Sequence, residues 1–285
     1  MSIVQSKQQE SYYLEIAGVG TFVDHTNQRL KLLEHQGVSE ESIKKIISFA
    51  RQEGLGKIIT NCHIRLLAPF TNSGFVIEGI INRFYQGEDA FCVSYFLDAK
   101  RGKASNWKKE EAILYQCLRD TRPFMPRAHE DYSIRQATVH DIPQMVRLFS
   151  SVFSTYPSPV FSGQYLKQVM SQHVLFRVAE QDGRVVSVAS AEMNPGNLNA
   201  EITDCATYPA YRGRAILSSL IHCLEADLKG KGYRTGYSLA RAINPGINKA
   251  FSRLGYKFSG RLVNNCHICG EYEDMNIWVK RLSDG

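Results

Sequence analysis

Glu201-Ile202-Thr203-Asp204-Cys205-Ala206-Thr207-Tyr208-Pro209-Ala210-Tyr211-Arg212-Gly213-Arg214-Ala215-Ile216-Leu217 holds three elements in succession. From Ala200 to Thr207 the residues alternate and include Ile202, Thr203 and Thr207, the pattern of a strand. Tyr208 to Arg214 gathers Pro209, Gly213 and two arginines and reads as a loop. From Ala215 onward, Ile216, Leu217, Leu220, Ile221, Leu224 and Leu228 fall at helical spacing. The first amides of a helix have no partners within it, and the dipole adds partial positive charge there. With Arg212 and Arg214 alongside, the three elements make a site that fits a pyrophosphate. An ordinary strand-loop-helix turn has the same order, so residues farther along must decide.

Tyr233 to Ala240 reads as another strand. Asn244-Pro245-Gly246-Ile247-Asn248-Lys249-Ala250-Phe251-Ser252-Arg253-Leu254-Gly255-Tyr256 follows. Pro245 can start a helix and Gly255 can cap it, with Ile247, Ala250, Phe251 and Leu254 on one face. The two stretches together resemble motifs A and B of the GNAT acetyltransferases. In motif A a loop of form Arg-x-x-Gly-x-Gly/Ala holds the pyrophosphate of acetyl-CoA. Arg212 matches; Ala215 stands where the motif has Gly, and Leu217 at its last small position. Ala costs little there if its backbone is helical. In motif B an Asn meets the pantetheine arm, and Asn248, Gly255 and Tyr256 take the motif's places. The resemblance implies an acetyl-CoA site formed by Cys205, Ala206, Thr207, Arg212, Gly213, Arg214, Ala215, Ile216, Asn248 and Phe251. It covers residues 132 to 281 and implies the order strand, two helices, three strands, helix, strand, helix, two strands.

The chain has 285 residues, 44% of them apolar, which is room for two domains with real cores. The net charge of +6 is mild and no long basic run appears, so no nucleic-acid partner is expected. No apolar run reaches membrane-spanning length, and Met1 to Lys7 lacks a signal-peptide core, so we expect no membrane partner and a cytoplasmic protein. Seven Cys suit a reducing compartment. Cys266-His267-Ile268-Cys269 has no matching second pair, so no metal is expected. Cys205 has no basic group placed beside it and reads as an inert thiol.

In the first half, residues 12 to 23 read as β structure, and Asp24 or Thr26 is placed to cap a short helix through Leu33. Ser39-Glu40-Glu41-Ser42 opens a helix ending near Gly54. Lys57 to Ile64 reads as a strand, and Phe75 to Tyr85 pairs with Ala90 to Leu97 as a hairpin. After Gly54 come a strand, a short segment, Gly74-Phe75 and two strands; after Gly232 come a strand, a short helix, Gly255-Tyr256 and two strands. Residues 1 to about 105 are therefore expected to form a smaller, degenerate GNAT-like domain. It has no Arg-x-x-Gly loop and hence no acetyl-CoA site; an unrelated α/β domain is the alternative. A helix from Trp107 to Arg119 and the stretch Arg122 to Arg127 link the two, giving domains at 1–130 and 131–285. The expected class is α/β with a mixed sheet.

The segments Asn199 to Thr207, Ala240 to Asn248, Leu262-Val263-Asn264-Asn265 and Glu273-Asp274-Met275-Asn276 resemble the β-lysine N-acetyltransferases, in which a GNAT domain follows an extra N-terminal domain. The resemblance implies acetyl transfer from acetyl-CoA to the N6 amine of (3S)-β-lysine, giving N6-acetyl-β-lysine, a compatible solute. Composition and periodicity by themselves show only an α/β protein with an anion loop.

A lysine-type amine, with a pKa of about 10.4, must lose a proton before it attacks, so a base or a water relay is needed. Glu201 is the candidate, at the strand start where histone-acetylating GNAT enzymes carry a catalytic Glu; a solvated strand-end Glu is the plain alternative. Phe251 stands where many GNAT enzymes have a Tyr acid, leaving Tyr256, Tyr237 or water for that role. The substrate carboxylate asks for an Arg and the distal ammonium for acids, which nominates Arg241, Glu273 and Asp274, with Tyr156 closing the cleft. Two other readings stay open: a GNAT enzyme for a polyamine, an aminoglycoside or a protein lysine, and a non-catalytic CoA-binding regulatory module. Oligomeric state is not legible.

Overall fold

Alternating apolar residues in both halves build strands that join into one sheet. The structure, a computed structural model, describes residues 10–33, 35, 38–120, 122–126 and 131–283. The stretch Met1 to Lys7 and Arg127 of the linker lie outside them. The first half runs β1 (Tyr12–Ile16), β2 (Val19–Asp24), β3 (Arg29–Leu32), α1 (Glu40–Gln52), β4 (Lys57–His63), α2 (Leu67–Asn72), β5 (Val76–Tyr85) and β6 (Glu88–Phe96). The connecting helix α3 (Trp107–Arg119) leads to β7 (Ser133–Gln136), α4 (Ile142–Val152), α5 (Gly163–Gln172), β8 (Val174–Gln181), β9 (Arg184–Asn194) and β10 (Asn199–Thr207). Then come α6 (Ile216–Gly230), β11 (Thr235–Arg241), α7 (Pro245–Arg253), β12 (Lys257–Ile268) and β13 (Glu271–Arg281).

The expected helix through Leu33 is instead strand β3. Asp24 accepts from the Asn27 amide at 3.1 Å and from Arg29 Nε at 2.9 Å, which closes a turn with Gln28 left-handed at φ 47°. Leu30 and Leu32 then alternate into the core at 0% and 3% exposure, which a four-residue helix could not achieve.

The described sheet has thirteen strands in the order β1-β2-β3-β4-β6-β5-β12-β13-β11-β10-β9-β8-β7. Read outward from the β5–β12 pair, the two directions meet equivalent elements. In each half a hairpin is followed by a parallel pair, β3–β4 or β10–β11, that stays in register for only three residues before the strands part. Each parallel pair is preceded by a left-handed residue, Gln28 or Leu198. Each long hairpin carries a left-handed bulge residue whose amide is held by an aspartate: Arg83 by Asp89 at 2.8 Å, Asn264 by Asp274 at 2.7 Å. Among the described residues, strand β7 and helices α4 and α5 have no counterpart in the first half.

The long hairpins cross between halves. Asn199 Nδ2 donates to the Phe84 carbonyl at 2.7 Å, and Arg29 Nη1 donates to the Asn265 carbonyl at 2.9 Å. Lys57, fully buried, is neutralised by Glu78 at 2.7 Å and donates to the Val263 carbonyl at 2.8 Å. One core lies under α1 and α2, one under α6 and α7, and a third joins α4, α5 and both hairpins. Leu220, Ile221, Leu224 and Leu228 of α6 are all fully buried, each worth about 1.5–3 kcal/mol of burial. No described helix is long and apolar enough to cross a membrane.

Candidate active site

Strands β10 and β11 pair from Asn199–Thr235 to Glu201–Tyr237 and then diverge. Against β9, β10 breaks register between Thr203 and Ala206, with Asp204 left-handed at φ 46°. A bulge of this kind bends the strand and re-aims its side chains. The gap it opens is a cleft of about 560 Å³ that runs from the bulge to the start of α6. That volume suits a small-molecule site.

At one end lies the expected anion loop. Gly213 is left-handed at φ 80° and Ala215, the N-cap of α6, at φ 60°. The expectation of helical backbone at Ala215 is thereby corrected, at a cost of roughly 1 kcal/mol for a non-Gly residue. Left-handed residues in this loop aim successive amides at one point, and no side chain caps the helix, so the amides of Ile216, Leu217 and Ser218 remain for an anion. Gly213, Ala215 and Ile216 line the cleft, with Ile216's side chain itself buried. Arg212 donates through Nε to the Thr207 carbonyl at 3.2 Å, and Arg214 sits over the Tyr211 ring at 5.4 Å. Lys249 of α7 also lines the cleft, with its Nζ 3.5 Å from Asp120.

Along the middle, Cys205 and Thr207 line the cleft, while the Ala206 side chain is buried and its carbonyl accepts from Ser187 Oγ at 3.1 Å. Burial pushes the Cys205 thiol well up, so it is no thiolate nucleophile. Asn248 does not reach the cleft. Its Nδ2 donates to the carbonyls of Arg241 (2.9 Å) and Asn244 (2.7 Å), and its Oδ1 accepts from Asn276 and Trp278, both at 2.9 Å. All four of its hydrogen-bonding positions are engaged. Phe251 is fully buried, with the Tyr256 ring packed edge-on at 4.9 Å. Tyr256 is 2% exposed and belongs to the core beneath α6, its hydroxyl against Gly236 at the closed end of the β10–β11 pair. The structure thus brings neither Asn248, Phe251 nor Tyr256 to the cleft.

At the far end, Tyr156, Thr203 and Asp204 line the wall. Asp204 accepts from Ser190 Oγ at 3.0 Å; burial raises its pKa to about 6. Glu201, three residues back on β10 and outside the cleft lining, is pushed up to about 7 by burial and by the like charge of Glu192, against the pull of Lys31. Tyr237 stands opposite Glu201 in the ladder, with its ring 5.6 Å from Phe84 of the first half. Burial and the Asp204 charge hold the Tyr156 phenol well above its ordinary value. Carboxyls raised toward neutrality, with Asp204 in the cleft wall, suit proton abstraction from an ammonium.

Arg241 and Glu273 come together, but with each other: Nη2 to Oε1 is 2.5 Å, so the guanidinium at the cleft rim is already neutralised. Asp274 is buried and holds the Asn264 amide, away from the cleft. Asp204 was missed by sequence reading; an aspartate in the middle of a strand, where it is disfavoured, was its signal.

A family model described as an acetyltransferase (GNAT) domain matches residues 133–258. The β-lysine N(6)-acetyltransferase of Methanosarcina mazei is 38% identical over 267 residues, covering 86% of this chain and 98% of that protein. The N-acetyltransferase YodP of Bacillus subtilis is 33% identical, covering 94% of this chain and 98% of that protein. The β-lysine N(6)-acetyltransferase of Methanococcus maripaludis is 30% identical, covering 90% and 94% respectively.

Proposed function

This chain belongs to the GNAT N-acetyltransferases, in the family of the β-lysine N6-acetyltransferases, and we propose that it transfers the acetyl group of acetyl-CoA to the N6 amine of β-lysine. The observation that carries the reading is one cleft with an uncapped helix start at one end and the raised carboxyl of Asp204 at the other, with the raised carboxyl of Glu201 farther back on the same strand. The amides of Ile216, Leu217 and Ser218, with Arg212 and Lys249 of the lining and Arg214 beside it, bind the pyrophosphate. The pantetheine arm lies between the diverging strands, which places the thioester at the bulge.

The substrate ammonium gives its proton to Glu201, directly or through water, and the neutral amine attacks the thioester carbon. Backbone amides at Cys205 and Ala206 receive the oxyanion. The C–S bond then breaks, and CoA leaves as thiolate, which a thiol pKa of about 8.5 allows without a dedicated acid; the second proton of the acylated nitrogen passes to that thiolate, directly or through water. Asp204 is the second candidate base, favoured by its position on the wall beside Tyr156. Transfer is direct, because the protonated Cys205 offers no acyl-enzyme route.

The first half serves as a degenerate copy of the second: its β3–α1 connection carries no arginine, so it has no cosubstrate site of its own. Free cysteines and acetyl-CoA use support a cytoplasmic enzyme, and the resemblance to the β-lysine N-acetyltransferases implies a compatible solute as product. The test is thiol release from acetyl-CoA with β-lysine, lysine, ornithine and spermidine. Preference for β-lysine supports the reading. Preference for another amine replaces the substrate, and CoA binding without turnover replaces catalysis by a regulatory role.

A further inference from the structure

The internal repeat places Lys31 of the first half where Glu201 stands in the second. Each is the last residue of its strand to pair in register with the parallel neighbour, Lys31 with Ile59 and Glu201 with Tyr237, before the strands part. Each is also paired on its other side with the preceding strand, Lys31 with Phe22 and Glu201 with Glu192. Leu30 and Leu32 are buried beneath α1, so Lys31 projects from the opposite face of the first half's sheet. That is the face through which Arg29 reaches Asn265 and from which Phe84 packs on Tyr237, the ladder partner of Glu201. The electrostatic influence of Lys31 on Glu201 agrees with this placement. Lys31 is exposed and forms no ion pair among the described residues.

β-Lysine is a zwitterion with an acetylatable amine at one end and a carboxylate at the other, and the arginine expected for that carboxylate, Arg241, is already paired with Glu273. We propose that Lys31 is the specificity-determining cation that binds the carboxylate of the amino-acid substrate, while Glu201 faces its amine. The two halves then contribute opposite charges from equivalent positions, and the first half becomes part of the substrate site. The proposal rests on the acetyltransferase reading above.

The test compares kcat/KM for β-lysine with that for the diamine left when its carboxylate is removed, in the full-length wild type, Lys31→Ala, Lys31→Arg and Lys31→Glu. The ratio of the two should fall at least about tenfold in Lys31→Ala, as expected for loss of a charge-assisted contact, chiefly through KM for the amino acid. Lys31→Arg should restore most of the ratio, and Lys31→Glu should push it lower still. Melting temperature and CoA affinity, measured alongside, separate this from a folding defect. A wild-type preference for β-lysine that survives in Lys31→Ala overturns the proposal and leaves the function standing. A wild type that shows no preference between the two compounds overturns the substrate reading itself.

Discussion

Gly79 and Gly260 face each other across the only register in which β5 and β12 pair, at the centre of the described sheet. Each sits at its own hairpin's bulge, between Ile77 and Gly79 in one half and between Phe258 and Gly260 in the other. A Cβ on Gly79 would lie 2.9 Å from Gly260 Cα and 2.6 Å from Ile277 Cδ1, so the halves can meet this closely only without side chains. Gly79→Ala should therefore cost about 1–3 kcal/mol as overpacking, and Gly260→Ala more, since its φ is +148°. Gly230→Ala, with open space around it, is the control. Chemical denaturation of the three variants checks this, and a stable Gly79→Ala would show that the junction is looser than described.

Asn248 should behave as a structural pin. Asn248→Ala leaves two carbonyls, the Asn276 amide and the buried Trp278 Nε1 without their partner. A loss of at least about 2 kcal/mol is expected, given roughly 1–3 kcal/mol for each orphaned buried group. Calorimetry with and without CoA decides: a pantetheine ligand would instead lower CoA affinity at unchanged stability.

Glu201→Gln should remove an acid limb from the pH–rate profile. With the carboxyl raised to about 7, wild-type kcat/KM climbs through that pH as the base ionises, and the variant should lose most turnover along with this inflection. The stability effect has its own sign. A carboxyl raised from 4.5 favours the folded state while protonated, and that contribution is lost as pH rises through about 7. Glu201→Gln should thus melt higher than wild type above pH 7, with the gain vanishing toward pH 4.5. Full turnover at every pH would move the base to Asp204.

Ala215→Gly should stabilise the anion loop. Relief of a left-handed Ala is worth about 1 kcal/mol, only partly offset by the greater freedom of Gly in the unfolded chain. A modest rise in melting temperature with CoA affinity retained is expected; a fall would mean that the Ala methyl contributes packing.

Tyr256→Phe should leave kcat and its pH profile in place, because the hydroxyl lies against Gly236 and not in the cleft. Loss of turnover through a missing acid, visible as a lost basic limb, would return this phenol to the reaction.

Features that depend on near neighbours were legible in the chain. The helix from Trp107 to Arg119, the cap at Ser39 and the apolar face of α6 follow from spacing and from side chains reaching one turn along. The repeated order of Gly54 and Gly232, then Gly74 and Gly255, was legible too, because a left-handed cap must be written locally. β3 was not: a four-residue strand has little pattern of its own and exists through β2 and β4. Nor was the fate of the polar side chains. Whether Arg241 is free or neutralised, whether Asn248 has a hydrogen bond to offer and whether Glu201 is desolvated depend on groups that are remote in sequence. Spacing therefore determined where an anion loop and a central strand would lie. Only tertiary structure decided which charges remain for a substrate, because hydrogen-bond saturation and desolvation are set by the neighbours that folding brings together.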